Sequence, residues 1–247
     1  MGQPRFYRNW IRDGDLVSFH VAVGETDLYL SARLGLEEEA RASIVRHRAL
    51  LEGYIASHPG FADALEPVSV DADAPAIVRE MAEAAGRAGV GPMAAVAGAI
   101  AEAVGRDLLA FSPEVIVENG GDIFLAIEKG RTVGIYAGDS PFTGKLALQI
   151  EPGETPLGVC TSSGTVGHSL SFGRADAVIV LSPSTALADA AATAIGNIVE
   201  DSDDIHRAVE FAQGIDGVSG VVVIRGERMG MWGQARLADV AGVGCEG

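Results

Sequence analysis

Cysteine, positive charge and long apolar runs are all scarce in this chain, and each shortage removes a class of protein. Cys160 and Cys245 are the only two cysteines in 247 residues. Two thiols so far apart cannot build a disulfide framework or a thiolate zinc site. Cys160 lies in a strand-like run and reads as core rather than nucleophile. Lys and Arg number 18 against 34 Asp and Glu, a formal net charge of −16. That balance argues against nucleic acid or an anionic membrane as partner, because both are held by neutralising phosphates with cations. No run of about 18 apolar residues is present, and the longest small-residue stretch, Met93 to Val104, is interrupted by Glu102. The opening MGQPRFYRNWIR is basic, but no apolar segment and no early cysteine follow it, so a cytoplasmic location is expected. Neither GxGxxG nor GxxxxGKS occurs, which weighs against Rossmann and P-loop nucleotide sites.

What is present describes one compact unit spanning 1–247, with 48% hydrophobic and 21% charged residues. Leu16 to Ala22 and Leu28 to Arg33 read as two strands joined by a four-residue loop, Gly24 to Asp27. Three helices are predicted next, over Leu36 to Ile55, from Pro75 to about Ala88, and from Pro92 to about Ala110. From Val115 the chain turns β-rich, through VIVEN, DIFLAIE, TVGIYAG, KLALQIE, a segment near Leu157 to Thr161, and AVIVL. An alanine-rich helix, a short helix from Ile205 and a terminal hairpin complete the order. A helical half (about 1–112) followed by a β-rich half (about 113–240) predicts the α+β class, with mixed or antiparallel sheets packed against helices in one domain.

The alanine-rich helix, Ala186 to Val199, carries a polar stripe of Asp189, Thr193 and Asn197, each four residues from the next. At about 100° per residue these fall within roughly 80° of arc, opposite Leu187, Ala191, Ile195 and Ile198. A solvated stripe would carry long Lys and Glu side chains, yet Ala186, Ala190 and Gly196 flank it, so something comes close. A carboxylate and a hydroxyl one turn apart suit a hard cation such as Mg²⁺. Equally open is a structural role, with Asp favoured by the helix dipole and Thr and Asn bonding back to the backbone.

Three further segments carry candidate chemistry. Glu118-Asn119-Gly120-Gly121-Asp122 is a strong hairpin signal, and its glycines would also let backbone approach a ligand, with Asn119 or Asp122 as a polar contact. Gly89-Val90-Gly91-Pro92 before a helix exposes unpaired N–H groups that suit a phosphate, although its small residues equally suit tight packing. The stretch Cys160 to Gly173 gathers hydroxyls, glycines and His168, which is either a structural histidine or a general base facing a ligand.

In this order, ENGGD, TSSG, a histidine and ALADAAATA resemble the ApbE-like flavin transferases, which move FMN from FAD onto a threonine of a target protein. The resemblance implies that Asn119, Gly120, Gly121 and Asp122 match the family's glycine turn, and Thr161, Ser162 and Ser163 its T-S-G segment, both around the flavin. It implies that Asp189 and Thr193, with the backbone of Ala94 in GPMAA, hold Mg²⁺. The expected cofactors are then Mg²⁺ and FAD or FMN, with His168 taking a proton from a protein or small-molecule acceptor. The chain departs from the transferases in having Ala95 where they carry lysine, and Ser-Leu-Ser-Phe after His168. It is more similar to a cytoplasmic branch of the ApbE-like (FAD:protein FMN transferase-like) superfamily. A binding protein that keeps the pocket without turnover, and a homo-oligomer joined by its small-residue helices, are the competing expectations.

Overall fold

The computed structural model describes residues 14–164 and 173–239. β1 (Val17–Val23) and β2 (Thr26–Ala32) form a hairpin whose loop is Gly24-Glu25, two residues where four were expected, because Val23 already pairs with Thr26. The helical block follows: α1 (Glu37–Ser57), the short α2 (Gly60–Asp63), α3 (Ala76–Ala88) and α4 (Val96–Leu108). The single helix expected from Pro92 instead opens with a 3₁₀ turn, Pro92–Ala95, before α4 begins. β3 (Val115–Asn119), β4 (Asp122–Ala126), β5 (Arg131–Gly134), β6 (Leu146–Ile150), β7 (Leu157–Ser162) and β8 (Ala177–Ser182) come next. The alanine-rich segment is α5 (Thr185–Gly196), followed by α6 (Ile205–Gln213), β9 (Gly220–Arg225), β10 (Arg228–Gly233) and β11 (Leu237–Asp239).

Eight strands form one antiparallel sheet in the order β1-β2-β3-β4-β7-β8-β9-β10, and β11-β6-β5 form a second, three-stranded sheet. The α+β expectation therefore holds. Side chains alternate across the large sheet. On one face Val117, Phe124, Cys160, Val180 and Val223 join the helices in a single apolar core. On the other, Ile116, Leu125, Val159, Ile179 and Val222 pack with Val133 and Leu148 of the small sheet and with Ile135 just after β5. The sheet is covered on both faces, which is why its central strands read as nearly unbroken Val, Ile and Leu.

The helix α5 lies in the middle of the first core, packed on β7 and β8 and against α3, α4 and α6. Its alanines follow from that crowding. A Cβ on Gly158 of β7 would sit 2.5 Å from Thr185 Cα, so strand and helix touch through backbone. The helix is capped twice at its start. Ser184 Oγ accepts the Leu187 N–H at 3.3 Å, and Glu102 of α4 accepts the Thr185 N–H at 2.7 Å. Ser184→Ala is expected to cost about 1 kcal/mol, read as a fall of a few degrees in a thermal melt, with Glu102 keeping the helix in place.

Among the described residues no single helix is long and apolar enough to cross a membrane. The bent pair Ala76–Ala88 and Pro92–Leu108, turned by 105°, has the length and composition for it, but both members belong to the core just described.

Candidate functional site

The site is built where β3, β4 and β7 end beneath the helices. Asp122 opens β4 directly opposite Cys160 on β7. Phe124 and Cys160 belong to the helix-side core while Ile123, Leu157 and Val159 belong to the other. Alternation therefore puts Asp122, Cys160 and Ser162 on the face toward α5, and Thr161 on the opposite face from Ser162. Thr161, Ser162 and Ser163 were expected to line one pocket as a group. Strand geometry divides the first two.

Between β3 and β4, Gly120 and Gly121 are the two residues of a tight hairpin, at φ +68° and +115°. Both values favour glycine, as the turn type requires. A side chain at Gly120 would meet nothing within 4 Å, so open space adjoins this backbone. Glu118 Oε1 accepts the Gly121 N–H at 3.0 Å, and Asn119 Nδ2 donates to the Ala97 carbonyl at 3.0 Å. The second bond ties the turn to the start of α4.

The same helix start is met from the other side by α5. Asp189 Oδ2 accepts the Gly98 N–H at 2.9 Å. Gly98 is the third residue of α4, whose own N-cap residue, Ala95, supplies no side-chain bond. Asp189 thus serves as an N-cap contributed by another helix, satisfying one of the donors that a helix start leaves unpaired. A Cβ on Gly98 would lie 2.4 Å from the Thr185 carbonyl oxygen and 2.8 Å from Asp189 Cβ. Thr193 and Asn197 follow Asp189 on its half-buried face, and the Asn197 N–H closes the helix on the Thr193 carbonyl at 3.1 Å. The 3₁₀ turn that contains Ala94 packs against α5.

Burial dominates the electrostatics here. It pushes the Asp122 carboxyl up to about 7, with the charge of Glu118 adding to the rise and the Cys160 thiol and Thr161 N–H opposing it. Burial, and then the charge of Asp122, pushes Asp189 well above the carboxylate range against the pull of the Gly98 and Ala97 N–H groups. The Cys160 thiol is also pushed up by burial, and it donates to the Thr185 carbonyl at 3.4 Å, as befits a core cysteine. A carboxyl that titrates higher in the folded than in the unfolded chain adds stability below the unfolded pKa, and that stability is lost as pH rises through the folded value. In metal-free buffer, folding stability should therefore fall by a few kcal/mol between about pH 4 and pH 7. Asp122→Asn should flatten much of that slope, as read from urea melts across the pH range.

The donor set fits a hard cation. Asp122 Oδ1 and Ser162 Oγ are buried without a hydrogen-bond partner on the sheet face toward α5. Among the described residues no three His, Cys, Asp or Glu side chains gather as a metal-ligand group. A cation here would rely on hydroxyl, carbonyl and ligand oxygens besides the carboxylates. His168 lies outside the described residues. Sequence reasoning missed Glu102, nearly buried, whose Oε1 is held by Arg106 at 3.0 Å through Nε while Oε2 caps α5. Its signal was the Glu-Arg pair four residues apart within an otherwise small-residue helix. Ala97 and Gly98 were also missed as named partners, because only the fold shows what faces a helix start.

Comparison with known proteins places this architecture. The sequence model of the family described as "AbpE bacteria" matches residues 8–222. A UPF0280 protein of Methanocella arvoryzae is 49% identical over 193 residues, covering 78% of each chain. A UPF0280 protein of Methanosarcina barkeri is 46% identical over 218 residues, covering 87% of this chain and 86% of the other. Among solved structures, the flavin transferase ApbE from Vibrio cholerae superposes with a TM-score of 0.56 at 14% identity, over 88% of this chain and 96% of that one. The apo flavinyl transferase ApbE of Pseudomonas stutzeri gives 0.54 at 16%, over 88% and 94%. At that identity the two structures speak for the fold. From the family match and the identity to its relatives, the chain belongs to the family described as AbpE bacteria, with the UPF0280 proteins as its relatives, and it shares the fold of the ApbE flavin transferases.

Proposed function

We propose that the chain is a Mg²⁺-dependent flavin-nucleotide protein of the flavin transferase type, which binds FAD or FMN and, with FAD as substrate, transfers FMN or cleaves at the pyrophosphate. One observation carries this reading. Asn119 of the glycine turn and Asp189 of α5 converge on adjacent residues at the start of α4, Asn119 on the Ala97 carbonyl at 3.0 Å and Asp189 on the Gly98 N–H at 2.9 Å. Asp189 and Thr193, with the backbone of Ala94, would hold the Mg²⁺. Such an ion lowers the charge that phosphate oxygens present to an incoming nucleophile. Asn119 fixes the turn so that Gly120 and Gly121 offer open backbone to the ligand, and Asp122, Ser162 and Ser163 add polar groups at the strand ends. Gly98 holds the Asp189 carboxylate in one orientation, so little ordering remains to be done when the ligand arrives. In this reading His168 accepts the proton of the acceptor hydroxyl, and His168→Asn should lower turnover about 100-fold while affinity changes little.

A second reading has its own support. Ala95, where the transferases carry lysine, is 0% exposed within the helix-side core, so the site has no cation there. That favours a non-catalytic nucleotide- or cofactor-binding protein with the same pocket. Incubation with FAD and Mg²⁺ followed by chromatography separates the two. Release of AMP, with FMN free or attached to an acceptor, supports the enzyme. Flavin retained with no product supports the binder, and FAD recovered intact with no flavin retained excludes both.

A further inference from the structure

We propose that Asp122 and Ser162 complete the cation site of α5 from the sheet side, making a two-carboxylate site that takes a divalent cation before any nucleotide arrives. The inference rests on the reading of Asp189 and Thr193 as cation-holding residues and extends it to residues on the strands.

Asp122 and Ser162 stand on one face of two adjacent strands. Asp122 pairs with Cys160, and Ser162 follows Cys160 by two residues on the same side of β7. They are 8% and 7% exposed, and neither Asp122 Oδ1 nor Ser162 Oγ has a hydrogen-bond partner. Buried polar atoms in folded proteins are nearly always paired, so two bare oxygens on one face call for a missing partner. Both lie toward the helix layer, where α5 packs on β4 and β7, and Cys160, which stands beside both on that face, reaches the carbonyl of Thr185 at 3.4 Å, one turn before Asp189.

The chemistry of the partner follows from the donors. A sugar hydroxyl or an amide could satisfy the bare oxygens, but it would leave the two carboxyls of this face without a counter-charge when they ionise. A cation answers both demands. The donors are all oxygens, since burial holds the Cys160 thiol well above its ordinary pKa and so in the protonated form, a poor metal ligand. Oxygen donors with carboxylate charge select a hard divalent ion such as Mg²⁺ or Mn²⁺. Two carboxylates rather than one also reduce the need for phosphate charge to hold the ion, so it should bind the protein alone.

The test titrates the full chain with Mn²⁺ alone and follows the free ion by electron paramagnetic resonance, then repeats the titration with FAD present. Wild type is expected to take up about one Mn²⁺ per chain without nucleotide. Asp122→Asn should weaken that binding about ten-fold or more, and Ser162→Ala about three-fold. Uptake by both variants equal to wild type, with Asp189→Asn alone deficient, overturns the proposal and leaves the reading of α5 intact. Uptake by wild type only when FAD is present does the same. No uptake under either condition overturns the proposal and the reading together. If Asp122→Asn loses its cooperative melt, Ser162→Ala decides, and unchanged Mn²⁺ affinity in that variant overturns the proposal.

Discussion

Asp189→Asn is expected to lower Mg²⁺-dependent flavin-nucleotide affinity about 100-fold or more, close to 3 kcal/mol, while the melting temperature stays the same or rises. The substitution separates two roles of one carboxylate. Asparagine is as good an N-cap as aspartate, so its side-chain oxygen can still accept the Gly98 N–H that Asp189 now takes at 2.9 Å. What disappears is the capacity to ionise, which burial and Asp122 oppose in the ligand-free protein and a bound cation would favour. Calorimetric titration with FAD and Mg²⁺, beside a thermal melt of the same samples, checks both halves. If affinity is unchanged in a stable Asp189→Asn protein, the residue is a helix cap and nothing more. Asp189→Ala would confuse the two roles, because it removes the cap as well.

Gly98→Val is expected to cost about 5 kcal/mol or more, enough to unfold a domain of ordinary stability. The first added carbon would lie 2.4 Å from the Thr185 carbonyl oxygen and 2.8 Å from Asp189 Cβ. Neither neighbour is the free end of a flexible side chain. Thr185 is the first residue of α5 and is already bonded to Glu102, so relief would require α4 and α5 to move apart. The separation would break the Gly98–Asp189 bond and open the core around Ala188 and Ala192, both almost fully buried. Chemical denaturation and yield of soluble protein measure the effect. A Gly98→Val protein with a near-wild-type midpoint would mean that the α4–α5 contact is looser than described.

The site was only partly legible before folding. The polar stripe of α5 followed from periodicity, and its half-buried face is where that periodicity puts it. The small residues beside the stripe predicted a close approach, and what approaches Asp189 in the structure is the backbone of Gly98. A structural partner thus accounts for part of a pattern that sequence reasoning also assigned to a ligand. Asp122 and Ser162 were singled out by their segments, yet that Asp122 Oδ1 and Ser162 Oγ are left without a partner depends on what faces them. Thr161 was grouped with Ser162 because they are neighbours in sequence, and the two-residue alternation of a strand separates them.

By itself the sequence determined the order of the main helices and strands, a hairpin at Glu118 to Asp122, the α+β class and the face of α5 that bears Asp189 and Thr193. These depend on dihedral preferences and apolar spacing within a few residues of each position. Only the tertiary structure decided which groups meet. Asn119 reaches Ala97 across 22 residues, Thr185 reaches Glu102 across 83, and Gly98 reaches Asp189 across 91. Such contacts are set by the pairing of β4 with β7 and by the packing of α5 between sheet and helices, which bury apolar surface over the whole domain. Local spacing leaves those pairings open, because many partners satisfy the same short pattern and only the complete core selects one.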